Sequence, residues 1–294
     1  LYLPCEMSVA VKLLNYKRRI PKMQRQDSSP KKFNATEVNG DNLLQVRIKL
    51  HEVFNSYQGE APFIGLKFTF IRFARCNLNC PWCDTMYTPY KIAESEFTIE
   101  QILEYIEATH RITFTGGEPS LFLHDILLIW KAIVQQMIYI DAITFETNGV
   151  ELPRLIEFVQ TELTPVAEFT NITWSPKFYE EKLFVKNMQH VYNRHLESFD
   201  NITIKIVADY KDAKVWQRIN RFLQAIKDLY GYLTLRKIYI MPLTEVNKTT
   251  QTTDKRLDKS TTYIPKEAWQ KAIELAEKYD VNLSPRLHIE AGLA

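Results

Sequence analysis

The sequence predicts an α/β fold, a partial, open parallel β/α barrel of about six strands. Three observations carry that reading. Short β-rich runs at 66–73, 111–115, 142–146, 170–174, 202–207 and 237–241 alternate with amphipathic segments near 122–137, 152–160, 212–229 and 265–279. That order suits parallel strands joined by crossover helices. Six strands fall short of the eight that close a full barrel. Finally, polar or glycine-rich stretches follow the strands: "CNLNCPWCDT" after the first, "TGGEP" at the second, "ETNG" at the third, "SPK" after the fourth and "MP" after the sixth. Residues at the C-terminal ends of barrel strands converge on one mouth, where such folds place their chemistry.

The elements follow in order. Residues 1–40 hold eight Lys or Arg against three Asp or Glu, whereas the whole chain carries +2, so a basic arm precedes a slightly acidic body. Residues 1–42 read as a solvated, disordered arm, with anion binding the alternative. Residues 43–294 then form one domain, for which 46% hydrophobic residues in a chain of 294 supply a sizeable core. "LLQVRIKLHEVF" (43–54) alternates like a half-buried strand, and "LKFTFIRF" (66–73) alternates again after a loop. Thr98 and Gln101 form a capping box ahead of the helical stripe Ile99, Ile102, Leu103 and Ile106. The segment 244–262 is polar and nearly free of large apolar residues, which predicts a surface loop or disordered insert.

Net charge argues neither for nor against nucleic acid. No run is long enough to cross a bilayer. The opening "LYLPCEMSVAVKLL" lacks a basic n-region and makes a poor signal peptide; Met7 or Met23 is the expected natural start. Of four cysteines, three crowd into residues 76–83 and Cys5 lies apart in the arm. That is no secreted disulfide framework, and a reducing cytoplasm is the expected compartment.

Cys76, Cys80 and Cys83 follow a C-x3-C-x2-C spacing with no fourth cysteine nearby. Three thiolates on a short loop can hold three corners of a cubane iron–sulfur cluster and leave the fourth iron open to an exogenous ligand. A zinc site of three cysteines and one histidine is the alternative on the cysteines alone. In "TFTGGEP" (113–119), two glycines after a strand let a ligand approach the backbone, and Pro119 suits the first turn of a helix. Glu146 of "ETNG" is either a general base or a hydrogen-bond anchor.

C-x3-C-x2-C with GGEP resembles the radical S-adenosylmethionine enzymes. The segments "NSYQGEAPFIGLKFTFIRFARCNLNCPWCDT", "TGGEP", "ETNG", "WSPK" and "SPRLHIE" together resemble the 7-carboxy-7-deazaguanine synthase family, over residues 46 to 290. The resemblance implies a radical ring contraction of 6-carboxy-5,6,7,8-tetrahydropterin to 7-carboxy-7-deazaguanine with loss of ammonia. It implies a 4Fe-4S cluster on Cys76, Cys80 and Cys83, S-adenosylmethionine and Mg²⁺. Residue by residue, Tyr57, Gln58, Gly59, Arg72 and Thr115 would contact the pterin. Trp82, Cys83, Asp84, Gly117, Ser175, Pro176 and Lys177 would line the cofactor, with Met241, Pro242, Leu243 and Thr244 closing over it, and Thr85 would ligate Mg²⁺. A homodimer served by an external electron donor such as flavodoxin or ferredoxin is implied, with no membrane or direct nucleic-acid contact.

These types suit those roles. Gln58 offers a donor and an acceptor to an amide-like pterin edge, Arg72 can grip a carboxylate bidentately, and Thr85 is the oxygen ligand a hard cation prefers. Two positions depart from the family's glycines: Ala61 and Arg75 stand where "QGEG" and "AGC" are usual, and either would alter its loop if glycine torsions were required there. Two rival readings remain. A glycyl-radical activase would share the cluster and GGEP but need an open docking groove for a partner protein. A zinc-binding interaction module would contain neither iron nor sulfide.

Overall fold

The computed structural model of the chain describes residues 40–81, 83, 94–198, 200–247 and 261–291. In chain order the strands are β1 (Arg47–Leu50), β2 (Glu52–Tyr57), β3 (Lys67–Phe73), β4 (Ser95–Thr98), β5 (Arg111–Gly116), β6 (Ala142–Thr147), β7 (Thr170–Trp174), β8 (Ile202–Ala208), β9 (Ile238–Pro242), β10 (Glu245–Asn247), β11 (Thr261–Tyr263) and β12 (Asn282–Leu283). The helices are α1 (Ile99–Glu107), α2 (Leu123–Gln135), α3 (Leu152–Glu162), α4 (Glu181–Tyr192), α5 (Ala213–Tyr230) followed by a single turn (Tyr232–Leu235), α6 (Lys266–Tyr279) and the short α7 (Leu287–Glu290).

One eight-stranded sheet runs in the order β12-β9-β8-β7-β6-β5-β3-β2. All its pairings are parallel except β2 against β3, which is antiparallel. The six expected strands are β3 and β5 to β9, each within one residue of its sequence bounds. Each parallel step crosses over through a helix, as right-handed β/α units do. The outcome is the α/β class foreseen, an open, mostly parallel sheet.

Two more strands join the sheet than the sequence suggested. β12 is two residues long and carries no periodicity of its own. β2 belongs to the stretch 43–54 that alternates like one strand, and here the expectation fails. That stretch is a 3₁₀ turn (Gly40–Gln45), then β1, then β2. Ile48 and Leu50 alternate inward along β1, while Leu43 and Val53 are buried out of that period. The chain changes ladder at His51, whose N–H meets the Arg72 carbonyl at 2.8 Å. β1 pairs with β4 and β2 with β3.

α4 was missed because its buried face includes Asn187 and His190 beside Leu183, Phe184 and Val191, which interrupts the apolar period. The ends of the polar insert pair as the β10–β11 hairpin, Glu245 against Tyr263. Residues 248–260 lie outside the described residues, as do 1–39. The capping box of α1 forms as expected, with Thr98 Oγ1 accepting from Gln101 N at 3.2 Å. Among the described residues no helix is long and apolar enough to cross a membrane.

The sheet's two faces differ. Outward residues such as Ile172, Trp174, Ile204 and Ile206 are buried; Trp174 packs edge-on against Phe222 of α5 and His190 of α4. The alternate residues of the same strands are Thr113, Thr144, Asn171, Thr173, Thr203 and Lys205, buried or nearly so. Cross-strand bonds join Thr144 to Thr173 at 3.3 Å and Asn171 Nδ2 to Thr203 Oγ1 at 3.0 Å. The inner face of the sheet is thus lined with hydroxyls and amides beneath the C-terminal ends of the strands.

Candidate active site

Above that face, polar side chains from six segments meet. Glu146 ends β6 and accepts from Thr115 Oγ1 of β5 at 2.7 Å and from Gln58 Nε2, just past β2, at 3.3 Å. Lys205, in the middle of β8, lies 3.4 Å from Glu146 and pairs with Glu60. Arg286 Nε bonds the other Glu60 oxygen at 2.9 Å, and its NH1 reaches Thr244 Oγ1 at 2.7 Å. Two buried cations therefore balance two carboxylates, the condition under which buried charges persist. Burial pushes the Glu60 carboxyl up, but Lys205 and Arg286 outweigh it and hold it well below the usual carboxylate range. Burial likewise depresses Lys205, yet Glu146 and Glu60 raise it above the usual lysine range.

The Gln58 amide is fixed in this web. Its Oε1 accepts from Glu60 N at 3.2 Å while its Nε2 donates to Glu146, which leaves one N–H and one lone pair for a ligand. Glu146 thus accepts from three side chains, Thr115, Gln58 and Lys205.

A second web binds the loops above β3, β5, β6 and β7. Gly117 N donates to the Phe73 carbonyl at 2.8 Å and Glu118 N to the Arg75 carbonyl at 2.9 Å, zipping GGEP onto the cysteine loop. A Cβ at Gly117 would stand 1.8 Å from the Arg75 oxygen and 2.9 Å from Cys76 N, so only glycine fits. The Glu118 carboxylate is fully buried and accepts from Ser120 N and Oγ, Thr147 Oγ1 at 2.6 Å and Asn148 N at 2.8 Å. Burial pushes this carboxyl up, and those four bonds oppose it. Ser175 N donates to the Thr147 carbonyl at 2.8 Å, which joins SPK to ETNG. Asn148 Nδ2 reaches the Cys76 sulfur at 3.8 Å, and Tyr179 hydrogen-bonds Cys80.

The sequence-predicted residues separate under this geometry. Gln58, Thr115, Glu146 and Thr244 enter the charged web. Gly59 anchors the C-terminal segment, its carbonyl accepting from Leu287 N at 2.8 Å. Arg72, at the end of β3, pairs with Glu52 at 2.7 Å and lies over the Phe54 ring. Tyr57 is exposed and stays outside the web. Ser175 Oγ accepts from Lys177 Nζ at 2.9 Å beside buried Pro176. Met241, Pro242 and Leu243 are buried at the end of β9. Trp82, Asp84 and Thr85 lie outside the described residues. Neither Ala61 nor Arg75 is among the residues with positive φ, so neither replacement demands a glycine torsion.

Glu60, Lys205, Arg286, Glu118 and Asn148 carry the two webs and were not singled out. Four of them lie within motifs read for other residues, namely QGE, SPRLHIE, GGEP and ETNG. Lys205 had its own signal, a lysine in the apolar strand "ITIKIVA".

The cysteines suit a cluster by their chemistry. Burial pushes the Cys76 thiol up to about 11, and Glu118, Cys80 and Cys83 add to it. A Cys76 thiolate disfavoured by its neighbouring sulfurs gains from a shared cation, and N–H donors already face Cys76 from Leu78 at 3.4 Å and from Asn148. Among the described residues no three His, Cys, Asp or Glu side chains are gathered into a formed metal cage, so the fit rests on the donor set and its loop.

Comparison with known proteins agrees. The Radical SAM superfamily model matches residues 70–170, from β3 to β7. The 7-carboxy-7-deazaguanine synthase of Hyperthermus butylicus is 28% identical over 84% of this chain and 93% of its own length. That of Haemophilus influenzae is 34% identical over 37% of this chain and 50% of its own, and that of Thermoplasma acidophilum 37% identical over 33% and 45%. The crystal structure of QueE from Escherichia coli aligns with a TM-score of 0.49 at 19% identity, over 85% of this chain and 100% of that one. Open parallel sheet, three-cysteine loop and GGEP accompany the Radical SAM superfamily match over residues 70–170, and over most of its length the chain is similar to 7-carboxy-7-deazaguanine synthases.

Proposed function

We propose that the chain converts 6-carboxy-5,6,7,8-tetrahydropterin to 7-carboxy-7-deazaguanine with loss of ammonia, in 7-deazapurine biosynthesis of the queuosine type. The observation that carries this reading is the adjacency of two webs. One holds the cysteine loop against GGEP, and the other places Gln58, Thr115, Glu146 and Lys205 at the mouth beside it. When bound, the 4Fe-4S cluster and S-adenosylmethionine supply hydrogen-abstracting radical chemistry. Cys76, Cys80 and Cys83 would hold the cluster, with Gly117 and Ser175 to Lys177 along the cofactor.

The remaining work belongs to the chain. Gln58 and Thr115 would orient the pterin edge from the mouth, and Arg72 would exchange Glu52 for the substrate carboxylate, a bidentate match for a guanidinium. Glu146, held by Thr115, Gln58 and Lys205, positions Gln58 rather than collecting a proton. Thr85 would give Mg²⁺ an oxygen ligand, the remaining positions being left to substrate and water. An external electron donor such as a flavodoxin or ferredoxin, a homodimeric assembly and a cytoplasmic setting complete the proposal.

Anaerobic incubation with S-adenosylmethionine, reductant, Mg²⁺ and the carboxylated pterin tests it, with the product identified by mass spectrometry. Cofactor cleavage with no deazapurine product would overturn the substrate assignment. Alanine at Cys76, Cys80 or Cys83 should each abolish iron retention or cofactor cleavage, and Cys5→Ala should change neither.

A further inference from the structure

We propose that the Asn148 side chain tunes the reduction potential of the iron–sulfur cluster by donating a hydrogen bond to the Cys76 sulfur. This rests on the cluster chemistry proposed above and concerns a residue outside the cysteine motif, on the loop that follows β6.

The geometry fixes which end of the amide faces the sulfur. Asn148 Nδ2 lies 2.7 Å from Asn77 Oδ1 and 3.8 Å from Cys76 Sγ, while Oδ1 accepts from Val150 N at 2.9 Å. Reversing the amide would set its oxygen against the Asn77 oxygen and its NH₂ against the Val150 N–H. Two bonds would be lost, so the NH₂ faces the sulfur. The main chain of the residue is held, its N–H tied at 2.8 Å to the buried Glu118 carboxylate. Gly149 beyond it has φ +79°, and a Cβ there would stand 1.9 Å from Trp174 Nε1. The loop is locked on both sides of the donor.

Reduction adds negative charge that spreads onto the cluster sulfurs. A hydrogen bond to a sulfur therefore favours the reduced form and moves the potential upward. Cys76 receives a second such bond from Leu78 N at 3.4 Å, but that donor belongs to the cysteine loop itself. Glu118 lies on the other side of Asn148, accepting its main-chain N–H. Asn148 sits between the two, its main chain satisfying the carboxylate and its amide facing the sulfur. It is a positioning and tuning residue, with no need to touch substrate.

The test uses the full chain, reconstituted anaerobically, and follows the midpoint potential of the cluster by EPR-monitored redox titration without S-adenosylmethionine. Asn148→Leu keeps the size and removes the donor; Asn148→Ser keeps the main-chain bond to Glu118 but is too short to reach the sulfur. With iron and sulfide content equal to wild type, either variant should titrate at a more negative potential. An unchanged potential in a fully loaded variant would overturn the proposal. If Asn148→Leu fails to retain the cluster, Asn148→Ser decides on the same criterion. A wild-type chain that binds no 4Fe-4S cluster would instead sink the functional reading itself, a failure visible before any variant is made.

Discussion

Lys205 shows what one buried charge does here. It is 4% exposed and stands between Glu60 and Glu146, so removing it leaves carboxylates facing each other in a dry site. Lys205→Met should destabilise the fold by roughly 3–5 kcal/mol, the cost of breaking a buried pair on one side. Urea unfolding of the single variant and of Lys205→Met with Glu146→Gln checks this, since the second change should recover part of the loss. Arg72 carries a different prediction. Arg72→Lys cannot reproduce the guanidinium fork, so pterin turnover should fall about ten- to two-hundred-fold in kcat/KM, for a loss of roughly 1.5–3 kcal/mol. The cluster and uncoupled cofactor cleavage should persist, as read by iron content and 5′-deoxyadenosine release. Strand-end residues such as Thr115 and Glu146 were legible because their positions define the mouth. Lys205 was not, because its partners come from residues 60 and 146 and sequence distance hides them.

Among elements, α4 and the ETNG loop depend on each other. His190 Nε2 meets the Gly149 carbonyl at 2.9 Å and its Nδ1 lies 3.0 Å from His195 Nδ1. A neutral ring that donates from Nε2 must accept at Nδ1, so His195 is the donor of that pair. Burial, then the His195 charge, lowers the His190 pKa from 6.5 to about 4. The folded state therefore holds fewer protons than the unfolded one between those values. Stability is full above pH 6.5 and declines as pH falls toward about 4, by up to roughly 3 kcal/mol. Urea midpoints at pH 7.5 and near pH 5 should show the decline in wild type, and His190→Gln should flatten it. The same helix marks the limit of periodicity as a guide. Two polar residues on its buried face hid it, whereas α1 was legible from its capping box and stripe. β1 and β2 read as one strand because alternation reports which face is buried and says nothing about which ladder is joined.

At the scale of the molecule, the described apolar core begins at Leu43. Removing residues 1–39 should leave pterin turnover within a few-fold of the full chain, measured side by side; complete loss would make the arm part of the active fold. The order of the parallel strands was legible because each carries its own apolar run and its own crossover helix. The closing of the sheet was not, because no ladder performs it. Side chains and single main-chain bonds do: Ala61 N to Ser284 Oγ at 3.0 Å, Leu287 N to the Gly59 carbonyl at 2.8 Å, and Arg286 to Glu60. These join the loop after β2 to the segment after β12, the two outer strands of the sheet. The molecule is therefore a strap fastened by a buckle, and the buckle is made of the same ions that line the mouth. Unfastening it breaks a few polar contacts and leaves every strand pairing whole, so it should open without unfolding the sheet. The amides of Ala61 and Leu287 should exchange with solvent together, and sooner than those of β5 to β8. A ligand seated against Glu60 and Gln58 would slow both, drawing the strap tight around its own cargo.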